Sequence, residues 1–75
     1  MKTVTIYYDT KEVNGQIGET CIDLTLTDYN ADVLLAVGTG RETATYAHVE
    51  SIIKSMEILK GRLYVQNSIK CIKEL

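Results

Sequence analysis

The start of the chain alternates between apolar and polar residues. Residues 3–8 and residues 19–26 each place apolar side chains at every second position, which is the period of a half-buried strand. The polar segment between them, residues 9–18, contains an Asn14-Gly15 pair that is typical of a tight turn. The pattern therefore predicts two antiparallel strands that share one apolar face and one polar face.

A short helix is predicted next. Residues 31–37 are rich in Ala and Leu and follow the N-cap candidates Thr27 and Asp28, which favours a helix over a third strand. The pattern alone leaves both possibilities open for residues 28–38. Few polar residues interrupt this segment, so we expect it to be covered by its own fold or by a second subunit.

A glycine-rich stretch, residues 33–44, follows the short helix. It resembles part of a dinucleotide-binding turn, but Thr43 stands where the third glycine is required, and the chain is too short for paired βαβ halves. Thr39 and Glu42 instead have the spacing of a helix capping box. We therefore interpret the stretch as the end of one helix and the start of the next, without a cofactor.

The most regular helical pattern covers residues 43–60. Its apolar positions fall within one arc of a helical wheel: Tyr46, Val49, Ile52, Ile53, Met56 and Leu59. Glu50 and Lys54 are expected to form an ion pair on the outer side, since they lie four residues apart. Ile58 lies off the buried stripe, and Gly61 is expected to end the helix.

The last residues predict further strands. Residues 62–65 fit a strand with Leu63 and Val65 directed inward, and residues 66–68 fit a turn. Residues 69–75 have apolar positions at a spacing of three, which fits either a last strand or a terminal helical turn. We favour the strand.

Together these elements predict one small α+β domain over residues 1–75. The expected architecture is an antiparallel sheet of three to four strands, in the order β-β-α-α-β-β, with two helices on one face. Seventy-five residues leave no room for a second domain. The sequence contains neither an apolar run of the about 18 residues that a membrane span requires nor a signal-peptide core near Met1, so we expect a cytoplasmic protein.

The residues that commonly carry chemistry are few and scattered. His48 is the only histidine, and His48-Val49-Glu50 matches half of a zinc deaminase signature whose cysteine half is missing. Cys21 and Cys71 stand fifty residues apart without a Cys-x-x-Cys pair, so we expect reduced thiols. The sequence therefore predicts no catalytic residues, no metal site and no cofactor.

Tyrosine is the only aromatic residue, with five Tyr and no Phe or Trp. On the predicted strand phases, Tyr7 and Tyr64 project from the sheet face opposite the helices, beside Thr5 and Asp23. Such a face is a candidate contact surface because Tyr offers a large rigid area with a polar tip; an ordinary solvated face is the alternative. The other tyrosines are assigned to the core or its rim: Tyr8, Tyr29 and Tyr46.

Charge is distributed unevenly along the chain. Residues 1–50 carry eight acidic and three basic side chains, whereas residues 51–75 carry two acidic and five basic ones. The basic residues of the last third are candidates for weak binding to single-stranded nucleic acid: Lys54, Lys60, Arg62, Lys70 and Lys73. Tight binding usually requires more Lys and Arg, so we treat nucleic acid as the alternative partner.

The leading functional prediction is a non-enzymatic protein-binding or regulatory module. It rests on the lack of reaction motifs, the apolar short helix, and the expected surface formed by Tyr7, Tyr64, Thr5, Asp23 and Ile58. The partner is another protein or a second copy of the chain in a homodimer. Phages and mobile elements often encode small acidic proteins of this type as inhibitors of host proteins. The likeness to them is an analogy of size and charge.

Overall fold

The computed structural model describes residues 1–37 and 44–75, in which four strands and two helices form an α+β fold. The predicted fold class and element order are confirmed. The expected Thr39–Glu42 capping box and the middle of the glycine-rich segment lie outside the described residues. The elements are β1 (Lys2–Lys11), β2 (Ile17–Leu26), α1 (Asp28–Val37), α2 (Ala44–Leu59), β3 (Leu63–Tyr64) and β4 (Cys71–Glu74).

The strand β1 is the centre of the sheet. It pairs antiparallel with β2 over its full length. Its other edge is shared by two short antiparallel strands, because β4 pairs with residues 4–7 and β3 pairs with Thr10 and Lys11. The chain therefore returns twice to the same edge of β1. The strand favoured over residues 69–75 is confirmed by β4.

The hairpin between β1 and β2 is longer than the alternation alone predicted. The loop expected over residues 9–18 narrows to residues 12–16, because the ladder continues to the pair of Lys11 with Ile17. Gly15 adopts a φ of 87° and donates its N–H to Glu12 O at 2.9 Å. This left-handed conformation favours glycine, as the Asn14-Gly15 turn signal indicates.

The core lies between one face of the sheet and the two helices. Strand alternation directs every second residue of β1 toward the helices, and the helical period brings apolar residues of α1 and α2 onto the sheet. The buried apolar residues are Val4, Ile6, Tyr8, Leu26, Ala31, Leu34, Tyr46, Val49, Ile53 and Ile69.

No helix in the described residues is long and apolar enough to cross a bilayer.

The helix ends follow from local chemistry. The Thr27 hydroxyl accepts a hydrogen bond from Asn30 N at 3.3 Å, and Thr27 O accepts one from Ala31 N at 2.9 Å, so Thr27 is the N-cap of α1. The helix interpretation of this segment is therefore confirmed, with an earlier start at Asp28. After α2, Gly61 has a φ of 77°, which is the left-handed conformation expected for a helix-ending glycine.

Candidate functional site

The side chain of Glu57 is buried although it ends in a carboxylate, which is a strongly polar group. Its side chain is 0% exposed. Glu57 follows Ile53 by four residues and Val49 by eight, so it lies on the same buried stripe of α2. Burial of a carboxylate is strongly unfavourable unless charged or hydrogen-bonding partners accompany it. The partners of Glu57 therefore decide whether this end of α2 can pack.

Three side chains surround this carboxylate, one from β1 and two from the turn that follows α2. The Tyr8 hydroxyl donates to Oε1, and Arg62 donates to Oε2 through both Nε and Nη2, each at 2.8 Å. Lys60 Nζ lies 3.8 Å from Oε1. Burial is the main cause that raises the pKa of Tyr8 far above its usual value, and the hydrogen bond to Glu57 raises it further. This network ties the end of α2 to β1 and to the turn before β3.

A second tyrosine and glutamate pair lies two helical turns earlier. Glu50 Oε2 accepts hydrogen bonds from the Tyr64 hydroxyl at 2.6 Å and from Asn67 N at 2.9 Å. The rings of Tyr64 and Tyr8 meet edge to face, with centroids 5.7 Å apart. Burial, with Glu50 as a further cause, raises the pKa of Tyr64 well above its usual value. The expected pairing of Glu50 with Lys54 is not among the ion pairs of the described residues.

The predicted position of Tyr64 on the outer side of the sheet is wrong. Tyr64 pairs with Thr10, whose side chain is buried on the helix side, whereas Leu63 pairs with Lys11 and is 60% exposed. The inward direction expected for Leu63 is therefore wrong as well. The physical reason is that β3 contains only two residues, which is too short an alternation to determine its phase, while Glu50 supplies the Tyr64 hydroxyl with a partner.

The remaining tyrosines divide differently from the sequence prediction. Tyr8 and Tyr46 are buried, as expected. Tyr29, expected in the core or at its rim, is 74% exposed. Tyr7 does lie on the face opposite the helices, where Lys73 Nζ sits 5.6 Å from the centroid of its ring.

The side of the sheet opposite both described helices forms a second surface, the outer sheet face. Thr5 Oγ1 donates to Asp23 Oδ1 at 2.7 Å, so these two predicted contact residues bind each other. Lys70 Nζ lies 2.7 Å from Asp9 Oδ1 and 3.0 Å from Glu19 Oε2, and these contacts raise its pKa. Along residues 3–9 of β1 and the strands paired with them, this face consists of Thr3, Thr5, Tyr7, Asp9, Glu19, Cys21, Asp23, Thr25, Cys71 and Lys73, and it continues at its end into Lys11, Ile17 and Leu63.

A different surface forms where β1 ends. The hairpin turn, the start of β2, the end of α2 and β3 all lie at this end of the sheet, since β3 pairs with Thr10 and Lys11. Five large apolar side chains there are between 55% and 94% exposed. We call this surface the apolar end and define it by Val13, Ile17, Ile58, Leu59 and Leu63.

The apolar end contains a groove of about 400 Å³. Its apolar walls are Val13, Ile58 and Leu63, and its polar residues include Lys11, Glu12 and Arg62. Arg62 is the residue that binds Glu57, and its Nη1 lies 3.9 Å from Glu12 Oε1. The groove is therefore built directly on the buried carboxylate network.

Sequence reasoning found one wall of this groove and missed the others. Ile58 was singled out because it lies off the buried stripe of α2, and it is 55% exposed. The sequence offers a signal for Val13, the one large apolar residue within the polar segment 9–16, but the turn pattern around it predicts only a loop. Leu63 was assigned to the core. Glu57 was missed, although its place on the stripe with Ile53 was visible in the sequence.

The five basic residues of the last third do not form one patch. Lys70 and Lys73 lie on the outer sheet face, whereas Lys60 and Arg62 lie beside Glu57 at the apolar end. Lys54 is on the exposed side of α2. Such an arrangement does not provide the contiguous basic track that a nucleic-acid strand requires.

The histidine and the cysteines are held apart. Cys21 and Cys71 both face Tyr7, one from β2 and one from β4, so the central strand separates them. Two strand spacings amount to about 9.6 Å, which is beyond the reach of a disulfide. His48 is exposed on α2. Residues 1–37 and 44–75 contain no group of three or more His, Cys, Asp or Glu side chains arranged to hold a metal ion.

Comparisons with protein-family models, with curated proteins and with solved structures found no match. Function is therefore inferred from the residues of this chain and their geometry.

Proposed function

We propose that this protein is a small non-enzymatic protein-binding module whose contact surface is the apolar end. The supporting observation is that its five defining residues are large, apolar and each more than half exposed, and that three of them, Val13, Ile58 and Leu63, line a groove of about 400 Å³. Contiguous exposed apolar patches rimmed by polar residues are typical of interaction sites, whereas single exposed apolar residues are ordinary. Ile58, expected at a contact surface from the sequence, belongs to this patch.

The outer sheet face is the weaker candidate. Thr5 and Asp23 bind each other, and Tyr7 lies beneath Lys73. A partner would have to replace these hydrogen bonds and charge contacts with its own groups, which removes much of the gain from binding. At the apolar end, burial of side chains such as Leu59 requires no such exchange.

The proposed mode of action is regulation by occupancy. When the module is bound, the part of the partner that it covers is no longer accessible to other molecules. No reaction on the module is needed. The buried carboxylate of Glu57 serves to hold the groove in place, since it is sealed from solvent and from any substrate. The proposal includes a reducing, cytoplasmic setting, in agreement with the separated thiols of Cys21 and Cys71.

Titration of a purified partner tests the proposal. The partner is captured from cells that express the protein, purified, and titrated against the wild type and two variants. We expect Val13→Ser with Leu63→Ser to weaken binding by about tenfold or more. Leu75→Ser is the matched control because Leu75 is also exposed but lies beside Thr3, at the other end of the sheet. Equal binding by the wild type and the double variant would contradict the proposal.

A further inference from the structure

We infer that the groove at the apolar end accepts a short aliphatic segment that carries carboxylates. This inference rests on the proposed function and names the chemical class of the partner. Three features support it: the size of the groove, the charge of its rim, and the fixed position of Arg62.

The size of the groove limits what it can hold. Its volume of about 400 Å³ is near the lower end of the range of about 300–1,000 Å³ typical of ligand sites. Its walls are the aliphatic side chains of Val13, Ile58 and Leu63, which exclude water without offering a ring for stacking. These dimensions suit one or two aliphatic side chains of a peptide, with the rest of the segment lying along the rim.

The rim carries an excess of positive charge. Arg62 is matched by the buried carboxylate of Glu57. Lys11 makes no ion pair within the described part of the chain. Lys60, which precedes Gly61 of the groove lining, makes only a long contact to the same Glu57, with Nζ 3.8 Å from Oε1. Lys11, Lys60 and Arg62 together face Glu12 and Glu57, so the excess is one positive charge. A segment that brings carboxylates beside its aliphatic side chains complements this rim.

The same excess makes two other occupants less suitable. A second copy would place Lys11 and Lys60 near the like charges of its own rim, and like charges in close contact are unfavourable. A nucleic-acid strand would satisfy the charge, but its bases would find only aliphatic walls, whereas single strands bind to aromatic platforms.

Arg62 gives the groove a positioned hydrogen-bond donor. Two of its nitrogens, Nε and Nη2, are held on Glu57, which itself is fixed by the Tyr8 hydroxyl. The third, Nη1, lies on the side of Glu12, at 3.9 Å. Because the guanidinium is already ordered, a carboxylate of the partner can bind it with little further loss of side-chain entropy.

Two synthetic peptides test the inference with the full chain. Both have ten residues and capped ends, with repeated Leu separated by Glu in one peptide and by Gln in the other. Amide chemical shifts of the isotope-labelled protein are followed during titration. We expect the Glu peptide to shift the amides of Val13, Ile58 and Leu63 and to bind at least about threefold more tightly than the Gln peptide at low salt. The difference should vanish near about 0.5 M NaCl, where charge contacts are screened.

A pair of lysine variants identifies the charge that matters. Lys11→Gln should weaken binding of the Glu peptide by about two- to fivefold and leave binding of the Gln peptide unchanged. Lys54→Gln is the matched control, since Lys54 is exposed on α2 outside the groove. It should leave binding of both peptides unchanged.

Three outcomes would overturn the inference. Equal affinity of the two peptides would reject the acidic class of partner. No shift of the groove amides up to about 5 mM of either peptide would reject an aliphatic peptide as the occupant. Shifts at Val13 and Leu63 that depend on protein concentration, without peptide, would make a second copy the occupant. In each of these results the proposed function still stands if the purified partner loses affinity for the Val13 and Leu63 variant.

Discussion

The outer sheet face and the apolar end are both exposed, yet they are built in opposite ways. On the outer sheet face each strand register brings a polar side chain beside a partner, as in the Thr5–Asp23 hydrogen bond and the Lys70–Glu19 ion pair. At the apolar end the paired strands give way to turns, and large side chains such as Val13 and Leu59 are left without neighbours that cover them. The two regions are equally accessible to solvent, and they differ in whether their exposed groups already have partners within the fold; the proposed contact surface rests on that difference.

The largest expected effect concerns the network beneath the groove. Glu57→Ala removes the carboxylate that binds Arg62 and the Tyr8 hydroxyl, so it leaves the half-buried guanidinium without its main counter-charge and the buried hydroxyl without its acceptor. We expect the free energy of unfolding to fall by about 3–5 kcal/mol, a large part of the stability of a small domain. Urea unfolding followed by circular dichroism measures it. Glu12→Ala is the control, with an expected change within about 0.5 kcal/mol because Glu12 is exposed.

A loss below about 1 kcal/mol for Glu57→Ala would mean that the network does not hold the apolar end in place. The comparison would then lose its premise that the groove is a fixed surface.

The two tyrosines once expected on a single face should respond differently to truncation. Tyr64→Ala removes the ring packed against Tyr8 and leaves Glu50 without its phenol donor, so we expect a loss of about 2–3 kcal/mol. Tyr7→Ala removes a half-buried ring beneath Lys73 and should cost about 1 kcal/mol. The same unfolding measurement compares them. Equal losses would contradict the assignment of the two rings to opposite sides of the sheet.

Alkaline pH should weaken the fold through the buried phenol of Tyr8 and the half-buried phenol of Tyr64. The pKa values of Tyr8 and Tyr64 are raised above the usual value of 10.0. The unfolded chain therefore loses these protons first, so the stabilisation is complete below pH 10 and declines as the pH rises above it. The expected slope is about 1.4 kcal/mol per pH unit for each phenol.

Urea unfolding at several alkaline pH values measures this slope. Tyr8→Phe should flatten it, and Tyr7→Phe is the control. An unchanged slope in Tyr8→Phe would show that Tyr8 does not contribute to the decline and would leave it to Tyr64 or to groups such as the ion-paired Lys70.

The smallest expected effect belongs to the apolar end itself. Val13→Ser with Leu63→Ser should change the free energy of unfolding by no more than about 0.5 kcal/mol, because both side chains are exposed. The same variant should bind less of an apolar fluorescent dye than the wild type does. A loss of several kcal/mol would show that these side chains support the core, and the contrast between the two regions would fail.

Long, regular patterns were reliable guides to this fold. The alternation of β1 and β2 predicted which residues face the helices, because a period of two sustained over ten paired residues allows only one register that buries Val4 and Ile6. The helical spacing of α2 predicted its buried residues Tyr46, Val49 and Ile53 for a similar reason, but Leu59, on the same predicted arc, is exposed because the helix ends there. Short elements were not reliable: two residues of β3 cannot determine a phase, and Tyr64 was placed on the wrong side.

By itself, the sequence determined the α+β class, the order of the elements, the inner face of the hairpin and the exposure of Ile58, since these depend on residues close together in the chain. Only the tertiary structure decided that Glu57 is buried, because its partners lie five positions away at Arg62 and 49 positions away at Tyr8. It likewise brought Val13 and Leu63 together with Ile58 at the end of β1. The physical reason is the same for both. Contacts between different elements of the fold determine whether a side chain is buried with a partner or left exposed, and no local pattern specifies those contacts.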